Sequence, residues 1–172
     1  MQNDTARPLA SGLTVLGAAR FTVNQLAVNQ PRLAPLAAIL LRVQHELFNL
    51  GSILATLPED VHPRQPRVAD AEIVQLETEM DLMNEELPPP RSFILPGGSH
   101  LDAELHIGRT VCRRAERIVV RLSRTASVPP ETIRYLNRLS DALFVWSRWA
   151  GHISGAPETL WEPNQSASGR AR

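Results

Sequence analysis

The sequence predicts an all-α protein, an antiparallel bundle of five helices. Apolar residues recur at steps of three and four residues along most of the chain, as they do in helices packed side by side. No segment alternates apolar and polar residues, as a half-buried strand would. We expect one bundle domain over residues 12–150, preceded by a loose leader at 1–11 and followed by a partly ordered tail at 151–172.

Each predicted helix has its own periodic stretch and its own boundary signals. The helices are expected at 12–28, from Pro31 to about Ala55, from an N-cap at Asp70 to the prolines at 88–90, from Ser99 to Leu122, and from Pro130 to about Trp149. The second has the most regular apolar seam, and three prolines within 57–68 indicate an irregular connection. Ser99 with Asp102 resembles a capping box at the start of the fourth helix.

The composition excludes several classes of function. The 18 basic and 18 acidic residues give a net charge of zero, which argues against a nucleic-acid or anionic-membrane partner. All the basic residues are arginine, so this chain has neither a Schiff-base lysine nor a phosphate-loop lysine. No apolar run reaches the roughly 18 residues of a spanning helix, and no signal peptide opens the sequence. A soluble cytoplasmic protein is therefore expected.

The cysteine and the histidines do not predict a reactive or metal site. Cys112 is the single cysteine, so no internal disulfide can form, and its place in an apolar seam favours a small core residue over a nucleophile. The five histidines show no metal-ligand spacing, and we predict no metal site. Chemistry must come from other polar residues.

The predicted fourth helix places charges beside its buried seam. Arg109, Arg113 and Glu116 repeat the four-three step of the apolar residues on an adjoining stripe. Charges at the edge of a packed seam need partners or an anionic ligand, because burying an unpaired charge is costly. An intrahelical pair of Arg113 with Glu116 on a solvated face fits this stretch equally well.

The predicted fifth helix carries a second group of polar residues close to its seam: Asn137, Arg138, Ser140 and Asp141. Asn137 and Asp141 are one turn apart and share a face, which predicts a hydrogen-bonded network with the fourth helix. The network could be a structural lattice that fixes the register of the bundle. It could also be an anion site, in which the two stripe arginines bind phosphate oxygens and Asn137 binds a polar ligand group. Spacing alone does not separate these hypotheses.

These two stretches resemble a known family. Residues 109–117 (RTVCRRAER) and 135–144 (YLNRLSDALF) look like the two signature helices of the propanediol-utilisation-type corrinoid adenosyltransferases. Three further segments match in the right order: 43–51 resembles the family's second helix, 92–98 (SFILPGG) its active-site loop, and 160–163 (LWEP) its tail. The resemblance covers about residues 33–163.

The resemblance implies a fold, a reaction and partners. Family members are five-helix bundles that form homotrimers with sites between subunits. They transfer the 5′-deoxyadenosyl group of ATP, bound with Mg²⁺, to the cobalt of cob(I)alamin or a related corrinoid, and release triphosphate. A corrinoid-dependent acceptor enzyme is a possible further partner.

The resemblance also implies roles for particular residues. Arg109, Arg113, Glu116 and Asn137 would bind ATP, and Arg113 would be catalytic, stabilising charge on the leaving triphosphate. Phe93 would pack beside the corrin ring and help to exclude the lower axial ligand, so that the cobalt becomes reducible. Arg138 and Asp141 would be mainly structural.

Two features of the family pattern have no counterpart in these 172 residues. The Thr-(Lys/Arg)-Thr-Gly-Asp-x-Gly loop that wraps the ATP phosphates does not occur. The family's first helix carries an Asp-Glu pair whose Asp pairs with the arginine matching Arg109, whereas residues 12–20 here contain no acid. The alternatives to an enzyme are a corrinoid-binding or delivery relative without ATP chemistry, and a purely structural bundle.

Overall fold

The computed structural model describes the backbone of residues 2–165 and the side chains of residues 8–165. Within this range five α-helices form the fold: α1 Gln2–Ala27, α2 Ala34–Ala55, α3 Asp70–Asn84, α4 His100–Leu122 and α5 Pro130–Ser154. Short 3₁₀ turns lie at Pro31–Leu33 and Pro58–Asp60. The predicted all-α, five-helix fold class is confirmed. No helix in the described range is long and apolar enough to cross a membrane.

A small antiparallel ribbon joins two segments that are far apart in sequence. Strand β1, Ile94–Leu95, pairs with β2, Thr159–Leu160, with Ile94 opposite Leu160. The sequence did not predict these strands, because two residues are too few to show an alternating pattern. The ribbon attaches the segment after α5 to the loop before α4.

The first helix begins earlier than predicted. It starts at Gln2, so the loose leader expected at 1–11 is wrong for residues 2–11, while Met1 lies outside the described residues. Leu9 is buried in the same core as Leu16, and Gly12 between them is also buried. The apolar seam of α1 therefore continues backward at the same three-four step, and burial of Leu9 stabilises the added turns.

The helix starts follow the predicted signals with two differences. Ser99 caps α4 by accepting the Asp102 N–H at 3.1 Å, as expected. The Asp102 carboxylate, however, accepts the N–H groups of Gly97 and Gly98 at 2.7 and 3.1 Å, so it binds the preceding loop. Asp70 is the first residue of α3, and the N-cap is Ala69. The Glu72 carboxylate accepts the N–H of this N-cap residue at 2.8 Å.

The fifth helix is longer than predicted and ends at a glycine. It runs to Ser154 rather than to about Trp149, and Gly155 follows in the left-handed conformation with φ of 69°. The expected partly ordered tail at 151–172 thus begins inside α5 and continues into β2. Residues 166–172 lie outside the described part of the chain.

The helices enclose one core. Helix α1 packs against α2 and α4, α4 packs against α5, and α5 packs against α3. A buried polar cluster joins α2 to α3 and α5: Arg42 bridges Glu46 and Glu79, and the fully buried Tyr135 donates its hydroxyl hydrogen to Glu46 at 2.6 Å. The signature residues of α4 and α5 therefore lie on two directly packed helices.

Candidate active site

The two stripe arginines of α4 have different surroundings. Arg113 is exposed, whereas Arg109 is half-buried and its guanidinium carbon lies 5.3 Å from the ring centroid of Phe144 on α5, a cation–π contact. The Nε atom of Arg109 is buried and has no hydrogen-bond partner within residues 8–165. Arg109 therefore holds a desolvated Nε donor that has no partner among the described residues.

The missing acidic partner of Arg109 follows from the sequence of α1. Val15 and Leu16 of α1 lie within 4 Å of the Cβ position at Gly108, the residue before Arg109, so α1 packs apolar side chains against this part of α4. No Asp or Glu occurs between Asp4 and Glu46. Among the described side chains Arg109 forms no ion pair.

The predicted network between the fourth and fifth helices is present at Glu116. Its carboxylate accepts a hydrogen bond from the Asn137 side-chain amide at 2.9 Å. Arg113 makes no ion pair in the described part of the chain, so the intrahelical pair of Arg113 with Glu116 does not form. The link fixes Asn137 beside α4 and leaves the Arg113 guanidinium available.

An open, shallow groove of about 720 Å³ lies along the exposed side of α4, and all of its lining residues belong to α4 or to the turn that follows it. Its charged lining consists of Glu116 and five arginines: Arg113, Arg114, Arg117, Arg121 and Arg124. Clustered guanidinium groups favour oxygen anions with several negative charges, since each planar fork can donate two parallel hydrogen bonds. The groove is therefore suited to a polyphosphate.

The other polar residues of the α5 signature connect α5 to α3. Arg138 contacts Glu77 of α3 at 2.8 Å and Asp141 at 3.3 Å, and all three side chains are partly exposed. This pairing has the form of the structural lattice considered for the sequence. Arg138 thus connects α5 to α3, and Asp141 pairs with Arg138 on the same helix.

Phe93 stands at the surface beside the ribbon. Its side chain is 79% exposed, and its ring meets that of Trp161 edge-on with 6.0 Å between centroids. The Trp161 N–H donates to the Phe93 carbonyl at 2.7 Å, and the Ser92 hydroxyl donates to the Trp161 carbonyl at 3.0 Å. An exposed aromatic pair on a fixed backbone is a platform for a large flat ligand.

A buried histidine connects this loop to the arginine stripe. His106 Nε2 lies 3.5 Å from Asp102, which holds the loop glycines, and 3.3 Å from the Ser147 hydroxyl. Its ring is edge-on to Phe144, the ring that Arg109 covers. Burial lowers the pKa of His106, the Asp102 carboxylate opposes this, and Arg109 lowers the pKa further. Asp and Ser share one ring nitrogen, so this is not a nucleophile relay.

Sequence reasoning gave His106, Phe144 and Trp161 no individual role. The four-residue spacing of Asp102 and His106 on one helix was the available signal, because it places both side chains on the same face. No local pattern indicates the contact of Arg109 with Phe144, which depends on how α4 packs against α5.

Cys112 is a core residue, and we predict that it resists alkylation. Its thiol donates to the Leu136 carbonyl at 3.1 Å, and burial raises the pKa of the thiol. Since only the thiolate reacts, iodoacetamide should label Cys112 in the native chain at least about 100-fold more slowly than in the urea-unfolded chain. Mass spectrometry of timed samples measures both rates, and equal rates would contradict this environment.

The fold and this geometry define a class of protein: an all-α bundle with an arginine-lined groove and an exposed aromatic platform. The family model described as cobalamin adenosyltransferase matches residues 13–150. The chain belongs to the cobalamin adenosyltransferase family. Its predicted family resemblance is thereby confirmed, and this family is one of transferases.

The relatives are named adenosyltransferases. The chain is 41% identical over 133 residues to the corrinoid adenosyltransferase of Bacillus subtilis, covering 77% of this chain and 67% of the relative. It is 43% identical over 125 residues to the cobalamin adenosyltransferase of Cupriavidus metallidurans, covering 73% and 65%. It is 37% identical over 133 residues to the corrinoid adenosyltransferase MMAB of Bos taurus, covering 76% of this chain and 55% of the relative. The chain thus spans about two thirds or less of these relatives.

Solved structures agree with the fold. An alanine-for-phenylalanine variant of a PduO-type ATP:corrinoid adenosyltransferase from Lactobacillus reuteri, complexed with cobalamin and ATP, superposes with a TM-score of 0.82 at 28% identity. The match covers 93% of this chain and 85% of that one. A lysine-for-arginine variant of the Lactobacillus reuteri enzyme, complexed with ATP, superposes with a TM-score of 0.81 at 26% identity. This match covers 94% of this chain and 87% of that one. The assignment of individual site residues stays a prediction.

Proposed function

We propose that the chain transfers the 5′-deoxyadenosyl group of ATP to the cobalt of cob(I)alamin or a related corrinoid. The observation that carries the proposal is the arginine stripe of α4: Arg109 has a buried Nε donor without a partner among the described residues, and Arg113 lines the cationic groove. Both occur in a chain of the adenosyltransferase family. The electron pair of cob(I) forms the Co–C5′ bond as the C5′–O bond breaks, and triphosphate leaves with that bond's electrons.

Each site residue receives a role that its surroundings support. Arg109 and Arg113 bind the triphosphate, and Arg113 stabilises the charge that develops on the leaving group. Asn137, held by Glu116, donates or accepts at a polar group of the nucleotide. Mg²⁺ arrives as part of the ATP substrate, and Glu116 is the one carboxylate among the described residues that line the groove.

The corrinoid subsite is proposed at the aromatic platform. Phe93 packs beside the corrin ring and keeps the lower axial base away from the cobalt, which favours reduction to the nucleophilic cob(I) state. The high exposure of Phe93 supports this role, because removing an exposed aromatic ring from water by packing it against a flat apolar ligand is favourable in free energy.

Assembly and location are part of the proposal. We infer a cytoplasmic homotrimer with its sites between subunits, and delivery of the product to a corrinoid-dependent acceptor enzyme. Large apolar side chains exposed on α1 and α2 support assembly, since Phe21 and Phe48 are 65% and 71% exposed. Sedimentation equilibrium tests the trimer, and a monomer at all working concentrations would exclude it.

A corrinoid-binding relative without ATP chemistry is the second candidate. The specific observation in its favour is that α1 packs Val15 and Leu16 against Gly108 and that no Asp or Glu occurs between Asp4 and Glu46, so this part of the chain supplies no acid to orient the Arg109 guanidinium. A purely structural bundle is the third reading, in which the arginines only hold subunits together.

One experiment separates these three functions. The full chain is mixed with ATP, Mg²⁺ and chemically reduced cobalamin, and the corrinoid absorption spectrum is followed. We expect conversion to the adenosylated form together with release of triphosphate. A spectral shift on binding without triphosphate release would overturn the enzyme and identify the carrier. An unchanged spectrum at saturating corrinoid would leave the structural bundle.

A further inference from the structure

A buried arginine of α5 holds both sides of the ribbon that carries Phe93. Arg148 is only 6% exposed, although arginine normally keeps its charge in water. Its Nε donates to the Glu158 carboxylate at 2.7 Å, just before β2, and its Nη2 donates to the Pro88 carbonyl at 2.8 Å, ahead of β1. One guanidinium thus ties the two segments that enter the ribbon to a core helix.

The ribbon itself fixes the backbone of Phe93. Trp161 donates its N–H to the Phe93 carbonyl, and the Trp161 ring packs edge-on against the Phe93 ring. At the far end of the loop, a Cβ atom on Gly98 would lie 2.9 Å from the Pro157 carbonyl oxygen, so glycine allows the two segments to touch. The position of Phe93 therefore depends on the segment after α5.

We propose that Arg148 and Glu158 are positioning residues for the corrinoid subsite. Neither is assigned to touch the substrate. Their ion pair clamps the segment after α5 against the Phe93 loop, so that the Phe93 ring is held where it can exclude the lower axial base. The inference rests on the proposed function.

The partners of Arg148 favour a positioning role over simple stabilisation of the core. A buried arginine needs its partners because desolvation of the charge is expensive, and a well-packed apolar residue would often stabilise a core as well. Both partners of Arg148 lie in connecting segments, outside the five helices. Its hydrogen bonds therefore order the loop and tail, and misplacing a reacting group by about 1 Å can cost a large factor in rate.

The test compares two corrinoids in variants of the full chain. Cobinamide lacks the lower axial base of cobalamin, so only cobalamin needs that base excluded. Both are supplied in the cob(II) state with ATP, Mg²⁺ and a chemical reductant too weak to reduce free cob(II)alamin, so that reduction depends on exclusion of the base in the site. Glu158→Ala should lower the ratio of kcat/KM for cobalamin to that for cobinamide about tenfold. Its KM for ATP should stay within about twofold, because the groove of α4 is untouched.

Matched variants isolate the ion pair. Arg148→Met should lower the cobalamin-to-cobinamide ratio of kcat/KM as much as Glu158→Ala does. Glu158→Gln keeps a hydrogen-bond acceptor, so its ratio should be close to that of the unaltered chain. Arg134→Met is the control, because it removes an arginine from the same helix whose partner is the exposed Asp70. If Arg148→Met fails to fold, Glu158→Ala decides alone, since Glu158 lies outside the core.

Hydrogen exchange gives a readout that does not need turnover. The Trp161 amide, which donates to Phe93, should exchange faster in Glu158→Ala than in the unaltered chain. The positioning role would be overturned if Glu158→Ala changed neither the cobalamin-to-cobinamide ratio of kcat/KM nor the exchange rate of the Trp161 amide. It would also be overturned if kcat/KM fell by the same factor for cobalamin, cobinamide and ATP. If the unaltered chain adenosylates neither corrinoid, the proposed function itself fails, which is a different result from an active chain with indifferent variants.

Discussion

Replacing Arg113 by alanine should lower the rate of adenosyl transfer by about 100- to 1000-fold, the usual effect of removing one donor aimed at developing charge. Arg113 is exposed and forms no ion pair among the described residues, so its loss breaks no described ion pair. The free energy of unfolding should change by less than about 0.5 kcal/mol. Single-turnover formation of adenosylated corrinoid measures the rate, and urea unfolding measures the stability.

Arg134→Ala is the matched control for this prediction. It also removes a partly exposed arginine from the bundle, but one that pairs with Asp70 at the start of α3. Its transfer rate should equal that of the unaltered chain. A fully active Arg113→Ala chain would remove this residue from the mechanism and leave Arg109 as the candidate charge at the transferring centre.

The largest effect on stability is expected at Glu46. This carboxylate accepts from both Arg42 and the buried Tyr135, so Glu46→Ala leaves a buried hydroxyl and a part-buried charge short of one partner. We expect a loss of about 3 kcal/mol, because breaking a buried charged pair strands the group that remains. Tyr135→Phe should cost only about 1 kcal/mol, since the Arg42–Glu46 pair survives.

Urea unfolding at one protein concentration measures both losses, because an assembling protein's stability depends on concentration. Glu77→Ala is the control, since Glu77 makes only a partly exposed pair with Arg138 and should cost less than about 1 kcal/mol. Equal midpoints for Glu46→Ala and Glu77→Ala would show that Glu46 in the buried cluster contributes no more to stability than a partly exposed ion pair does.

The pKa of Tyr135 is raised by burial and by Glu46, so its hydroxyl keeps its proton at neutral pH.

Regular apolar seams made most of the helices predictable. In α2 every seam position from Leu36 to Leu54 is buried, because a four-three step places them all on one face. The start of α1 was missed although Leu9 continues its seam, since one leucine among polar residues is a weak signal. The link between Glu116 and Asn137 was predictable because both helices showed polar residues beside a seam.

The loop and tail were less predictable for a physical reason. The partners of Arg148 lie 60 and 10 residues away, so its burial follows from tertiary packing and not from local sequence. Likewise β1 and β2 form only because α5 ends beside the loop before α4. Residue type gave Phe93 its proposed role by resemblance, while the groups that fix its backbone became visible only in three dimensions.

The surroundings of the tryptophans have a spectroscopic consequence. Trp146 and Trp149 are buried, while Trp161 is 44% exposed and touches Phe93. Trp161 should therefore provide the long-wavelength part of the fluorescence emission, and a corrin ring resting on Phe93 would absorb that light at close range. The chain thus contains its own optical reporter of the corrinoid subsite, and Trp161→Phe would silence it while the two interior indoles still report on the fold.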